Sequence, residues 1–369
     1  MSATLPPRLG PSGLAHPGLA HKGDRSIQSI LTIAVLVTGG VGVLAYLALH
    51  GGEVVQGISG FSFYRPLPLL FGQLLLGLIN GAFYALLSLG LAVIFGMLNI
   101  INFAHGALFM LGAFAAWMML TPNTWLGMIS PGLALPEWAT IGYWPALILA
   151  PLVVGAFGLL MEKTIISRLY KLDHLYGLLL TFGVALILEG LARNAFGSSG
   201  MPYKIPDALA GGTNLGFMFM PNYRGWVLLA AAAMCLVTWV LIEKTQLGAR
   251  LRAATENPGL VQAFGVNVPR MISLTYAGGV ALAAFAGVLA APIYSVNPNM
   301  GSSFIITVFA VVVIGGMGSI LGSIVTGFGL GIVEGLTKVY YPQASATVIF
   351  VVMVIVLLVR PSGLFGKTA

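Results

Sequence analysis

Charge is scarce in this chain. Its 369 residues include 17 Lys and Arg and 10 Asp and Glu, so charged side chains make up only 7%. A soluble globular domain carries about 25%, and a water-facing surface cannot be built from so few. Cysteine is nearly absent. The single Cys235 sits in an apolar run, which excludes a disulfide framework and fits core packing better than a reactive thiol. No second His or carboxylate stands at metal-ligand spacing from His105, so a metal site is not expected. No nucleophile–base pairing with supporting spacing is present, which argues against an intramembrane enzyme. A phosphate-binding loop is also missing. Gly366-Lys367-Thr368 imitates its end, but the glycine it needs upstream falls at Pro361. What is abundant is apolar sequence, at 58% hydrophobic residues, together with 49 glycines. These proportions define an integral membrane protein.

A helix needs about 20 apolar residues to cross a bilayer. Candidate spans cover 27–49, 68–97, 99–120, 143–162, 174–196, 225–242, 271–294, 304–318, 319–338 and 345–359. Such long, uniformly apolar segments exclude barrel strands, so the expected fold is all-α: a polytopic bundle of about ten spans. The eighth and ninth are short and meet at Gly315-Gly316-Met317-Gly318-Ser319, where one could be re-entrant or broken. Placing the 243–270 loop in the cytoplasm leaves only Arg65, Arg193, Lys204, Arg224 and Lys338 outside, with the other twelve of the 17 basic residues inside. That satisfies the positive-inside rule and puts both termini in the cytoplasm. The net charge of +7 follows from the same bias, and no nucleic-acid partner is implied. Residues 1–26, rich in Pro, Gly, His and Arg, are expected to form a disordered tail. Residues 27–66 add an extra first helix and an outer loop, with no removable signal peptide expected. The main membrane domain spans 67–369.

Small residues recur at helical spacing: Ser323, Gly327, Gly331 and Gly335; Ala283, Gly287 and Ala291; Gly77 and Gly81. In lipid, such stripes let helix backbones approach closely. The topology also permits an inverted repeat. Spans two to five begin outside, and spans seven to ten begin inside.

The one long polar stretch is 243–270, which holds six of the 27 charged residues. Asn257 fits a helix N-cap, Pro258 the first helical position and Gly265 a stop. A helix over 246–256 and a second over 258–264 are expected. The second would present Leu260, Val261 and Phe264 on one face. Apolar knobs beside basic side chains suit a cytoplasmic protein partner.

Several ordered motifs give this chain a family resemblance. Asn80-Gly81-Ala82-Phe83-Tyr84-Ala85-Leu86 comes first, then Asn102-Phe103-Ala104-His105-Gly106. In the polar loop stand Gly248, the pair Arg252-Ala253, and Gly265. Gly315-Gly316-Met317-Gly318-Ser319 and Pro361-Ser362-Gly363-Leu364-Phe365-Gly366 close the set. From about residue 70 to 367 the chain resembles LivH-type permease subunits of ATP-binding-cassette importers for branched-chain amino acids; residues 1–66 lie outside the match.

The resemblance implies a multi-pass, non-catalytic subunit of the bacterial inner membrane, in contact with lipid. It implies a second permease of the LivM type, two ATPase subunits and an extracytoplasmic binding protein. ATP and Mg would be bound by the ATPases, with no cofactor on this chain. The 243–270 loop would be the coupling segment, with Gly248 and Gly265 shaping turns, Arg250 and Arg252 contributing charge, Ala253 in the motif, and Leu260 and Phe264 contributing apolar contact. Family relatives that carry urea or short amides leave the cargo open. A stand-alone secondary transporter or channel is the reading from a different class, disfavoured by the docking loop.

Ionisable groups inside spans are functional candidates because burying them is costly. Glu189 and Glu334 each precede a cation by four positions, Arg193 and Lys338, which is the favourable helical pairing. Asn80, Tyr84, Asn102, His105 and Glu334 are the candidate pathway residues. Asn297-Pro298-Asn299 would lie at the outer mouth.

Overall fold

The computed structural model describes residues 67–98, 101–130, 135–136, 139–170, 174–216 and 218–366. The expected tail at 1–26 and first span at 27–49 lie outside the described residues. Each of the other expected spans coincides with a helix. In chain order these are α1 (Leu67–Leu98), α2 (Ala104–Leu120), α3 (Pro122–Ile129), α4 (Tyr143–Thr164), α5 (His174–Phe196), α6 (Asn222–Glu243), α7 (Gln246–Glu256), α8 (Pro258–Ala263), α9 (Val268–Tyr294), α10 (Met300–Gly315), α11 (Ile320–Tyr340) and α12 (Val348–Val359).

Among the described residues, α1, α4, α5, α6, α9 and α11 are each long and apolar enough to cross a membrane. Helices α2 and α3 qualify together, but they bend by 105° at their junction. Pro122 opens α3 there, and Thr121 sits between the helices in a non-helical conformation. Helices α10 and α12 are shorter, at 16 and 12 residues. At 1.5 Å per residue, α12 covers about 18 Å of a hydrocarbon core about 30 Å thick. Within the expected span at 99–120, residues 101–103 are non-helical and the helix begins at Ala104.

Between α5 and α6 lies a small antiparallel hairpin, β1 (Gly212–Asn214) with β2 (Phe219–Pro221), which the all-helical expectation did not include. Close by, Met201 and Val296 exchange backbone hydrogen bonds. This ties the start of the α5–α6 connection to the corner between α9 and α10. That corner lies on the bundle face opposite α7 and α8.

The core runs through α1, α2 and α9, whose middles are almost fully buried. Contact between these helices is set by the small-residue stripes. Gly77 and Gly81 of α1 face Gly327, Gly331 and Gly335 of α11. A side chain at Gly331 would run into the backbone of Gly77 and Gly81. Gly287 of α9 is seated against Phe109 and Ala113 of α2 in the same way.

Helix pairing repeats itself. As α1 lies on α11, so α9 lies on α4; as α9 lies on α2, so α1 lies on α10. The pairs α2–α4 and α2–α5 are matched by α10–α11 and α10–α12. Two glycine contacts are reciprocal between the halves. A Cβ on Gly90 would meet the Gly279 carbonyl at 2.7 Å, and one on Gly279 would meet the Gly90 carbonyl at 2.8 Å. Gly106 and Gly301 block each other likewise.

Overpacking a tight helix contact costs roughly 1–3 kcal/mol or more. G331V is expected to lower the unfolding temperature of the detergent-purified subunit. G329V, with open space around the added carbons, is expected to leave it unchanged. Equal behaviour of the two variants in a thermal unfolding assay would contradict this packing account.

Candidate functional site

The polar loop folds as two short helices held down by their own punctuation. In α7, Leu251 and Ala254 turn inward. Gly248 is closed against the end of α6, where any side chain would strike the Ile242 carbonyl. Asn257 accepts a hydrogen bond from the Leu260 N–H at 3.0 Å and caps α8, which begins at Pro258. Gly265 ends it at φ +80°, a left-handed conformation that suits glycine. Ala254, Val261 and Val268 form a small core beneath these helices, with Met97 from the end of α1 packed against it.

The expected common face of Leu260, Val261 and Phe264 is divided. Val261 is buried, whereas Leu260 is 55% and Phe264 79% exposed. A two-turn helix lying on a surface must spend one apolar residue on that surface, and here it is Val261. Arg250 and Ala253 are exposed. Arg252 reaches back instead, donating to the Ile242 carbonyl and to Glu243, each at 3.1 Å. It therefore fastens α7 to the end of α6. A cavity of about 350 Å³ separates α7 from the ends of α1, α6 and α11, with Gly96, Leu251, Arg252 and Ser319 among its walls.

The inner polar residues fall into two networks. In the first, Glu334 of α11 is buried, takes a hydrogen bond from the Tyr84 hydroxyl of α1 at 2.8 Å and pairs with Lys338 at 2.5 Å. Asn80, one turn from Tyr84, accepts from Tyr294 at 3.2 Å. Phe304 of α10 packs edge-on or tilted against Tyr84, Phe109 and Tyr294. So Asn80, Tyr84 and Glu334 are brought together around one aromatic cluster.

The second network gathers around the turn into α2. The Asn102 amide donates to the Tyr276 hydroxyl of α9 at 2.9 Å, and its carbonyl accepts from the Ala104 N–H. Phe103 donates its backbone N–H to Thr181 of α5. The His105 ring nitrogen Nε2 lies 3.1 Å from the Leu87 carbonyl, so it carries the proton there, while Nδ1 has no protein partner. The Asn-Phe-Ala-His-Gly motif thereby ties α2 to α1, α5, α9 and, through Gly106, α10. Asn102 and His105 are fully enclosed.

Two residues that the sequence reading passed over complete the pattern. Glu162 of α4 is 2% exposed and bonds Ser273 of α9 and Tyr170, each at 2.5 Å. Ser273 precedes Gly279 by six residues, as Tyr84 precedes Gly90. Each half therefore has a buried carboxylate bound to a hydroxyl at a matching place on its partner helix. The signal available in the sequence is the apolar run that ends at Glu162.

A hydrogen bond to a buried charged group is worth about 1.5–3 kcal/mol. Y84F is expected to destabilise the subunit by about that much. E334A should cost more, since it also leaves Lys338 without its carboxylate. Thermal unfolding of the purified subunit ranks the two, and a silent Y84F would show that the bond contributes nothing.

Comparison with known proteins bears on what this arrangement serves. The family model described as "Branched-chain amino acid transport system / permease component" matches residues 73–358. The high-affinity branched-chain amino acid transport permease LivH of Escherichia coli K12 is 29% identical over 304 residues, covering 80% of this chain and 95% of LivH. BraD, the corresponding permease of Pseudomonas aeruginosa, is 30% identical over 307 residues with the same coverage. The autoinducer 2 import permease LsrD of Salmonella paratyphi B is 27% identical, over 59% of this chain and 67% of LsrD. No solved structure matches the chain. A model that covers most of the chain, on a bundle of apolar helices with a polar loop fastened beneath it, settles the family: the chain belongs to the branched-chain amino acid transport permeases, as a non-catalytic membrane subunit of a transport system.

Proposed function

We propose that this chain forms the translocation route of an ATP-driven importer for branched-chain amino acids. The observation that carries the reading is the pair of bare apolar side chains on α8 and at its C-terminal cap. Leu260 and Phe264 stand out from a loop otherwise fastened by Gly248, Arg252 and Asn257. Covering a large apolar side chain is worth about 1.5–3 kcal/mol, and a rigid loop that withholds this from its own fold offers it to a partner. The partner is an ATPase subunit, with Arg250 and Ala253 at the rim and Gly265 setting the angle of α8. Two such ATPases, carrying ATP and Mg, a second permease of the LivM type and an extracytoplasmic binding protein complete the assembly.

The cargo follows from the relatives. LivH and BraD are matched over almost their whole length and LsrD over two thirds of its own, which favours branched-chain amino acids over autoinducer 2. In this reading the loop faces the cytoplasm of a bacterial inner membrane, about ten spans cross it, and both termini lie inside. The two sets of four helices, α1, α2, α4, α5 and α9 to α12, form an inverted repeat. Its support is the matched helix pairing and the reciprocal Gly90–Gly279 and Gly106–Gly301 contacts. The paired carboxylates then lie toward opposite membrane faces, Glu162 inside and Glu334 outside. Asn80, Tyr84, Asn102, His105 and Glu334 border the route by holding its helix pairs together.

F264D places a charge where the ATPase groove would close. It is expected to cut ATPase capture in pull-downs from membranes by about tenfold or more, with insertion and thermal stability unchanged, because Phe264 touches little of its own fold. Wild-type capture by F264D would remove the docking assignment.

A further inference from the structure

Tyr84, Asn102, His105 and Glu334 are closed over by the bundle, so none of these four can touch a passing solute without a change of packing. A different polar set is open. Glu189 and Arg193 lie one turn apart on α5, toward the end away from α7 and α8. The i,i+4 ion pair expected between them does not form. Arg193 instead donates to the Asn299 side chain before α10 at 2.7 Å. The Glu189 carboxylate lies near both Arg193 and the Ser302 hydroxyl of α10, which itself donates to the Asn299 carbonyl at 2.9 Å. Arg193, Asn299 and Ser302 are exposed and Glu189 is half-buried.

Glu189 stands seven residues before the end of α5, about 10 Å in from it at 1.5 Å per residue. A charge facing hydrocarbon costs about 2.5–3.5 kcal/mol even on the lenient scale. That cost favours a water-filled cleft over lipid on this face of α5 and α10. Further along the same two helices the wall becomes aliphatic. Leu186 of α5 is 53% exposed and Ile306 of α10 is 60% exposed. Phe103, from the turn into α2, lies 6.3 Å from Phe182 and 6.0 Å from Phe309, and so joins the two helices below.

We propose that Glu189 and Arg193 form a solute-binding site on the translocation route, specific for a zwitterionic α-amino acid with an aliphatic side chain. The two charges are opposite and a helical turn apart. Arg193 is oriented by Asn299, the residue that caps α10, and not by a direct ion pair with Glu189. The solute's ammonium meets Glu189 and its carboxylate meets Arg193, where a guanidinium can bind it through two N–H groups. The aliphatic side chain rests on Leu186 and Ile306. Asn299 holds the Arg193 guanidinium while the site is empty, and Ser302 braces Asn299 through its backbone carbonyl.

The site rests on the importer reading above, and its test separates the two. Wild-type and variant complexes, with ATPase and binding protein, are reconstituted in proteoliposomes and supplied with radiolabelled leucine. Since hydrogen bonds to charged groups are worth about 1.5–3 kcal/mol, E189Q and R193Q are each expected to lower leucine uptake by about tenfold or more. Complex assembly, read by co-purification of the ATPase subunits, should be intact. In a C235A background, S302C is expected to react with a membrane-impermeant cationic thiol reagent, and turnover with leucine-loaded binding protein should slow that reaction.

Uptake by E189Q and R193Q within twofold of wild type overturns the site. So does an S302C that reacts in the isolated subunit but not in the complex, which would make this face a contact between permeases. An S302C inert in both would make it a lipid face and overturn it too. A wild-type complex that moves no leucine would instead count against the proposed cargo.

Discussion

Everything in this molecule depends on how closely helix backbones can approach. Lipid tails are as apolar as leucine, so no hydrophobic effect presses one membrane helix against another. Contact must come from surface fit. Gly77 and Gly81 against Gly327, Gly331 and Gly335 supply it on one side of α1, and Gly287 against α2 supplies it at the centre. With backbones this close, a single buried hydrogen bond can fix the axial position of two helices. Tyr84 to Glu334 and Ser273 to Glu162 serve that purpose on the two corresponding pairs.

The same constraint divides polar groups into two kinds. Those on tightly packed faces are enclosed and satisfied by neighbours, as Asn102 is by Tyr276 and Ala104. Those on loosely packed faces stay open, as Arg193 and Ser302 do. Transport needs both. Fasteners define discrete arrangements of the helices, and an open face provides somewhere for a solute to be. The loop at the opposite end follows the same logic, since Arg252 and Gly248 anchor it to α6 while Phe264 is left bare.

Much of this was legible in the sequence. Scarcity of charge gave the membrane, the glycine spacing marked the closely packed faces but not which helices they join, and Asn257, Pro258 and Gly265 gave the start and end of α8. The resemblance to LivH-type permeases, carried by those motifs, agrees with the comparisons. What could not be read was direction and partner. Val261 turns inward because the bundle floor lies on that side, which no i,i+4 pattern specifies. Glu189 was expected to pair with Arg193 along its own helix, but α10 offered Ser302 and Asn299 across a gap of more than 100 residues. Glu162 was not singled out, because only Ser273 and Tyr170, brought in by the fold, make it a buried group. Each miss depends on a tertiary neighbour that local spacing does not contain.

As proposed, this chain provides a route and a grip but no energy of its own. The decisive measurement is leucine uptake into proteoliposomes, with and without ATPase subunits, luminal ATP and an imposed ion gradient. Uptake is expected only when the ATPases, ATP and loaded binding protein are all present, whatever the gradient. Gradient-driven leucine uptake by the chain without ATPase subunits would contradict it.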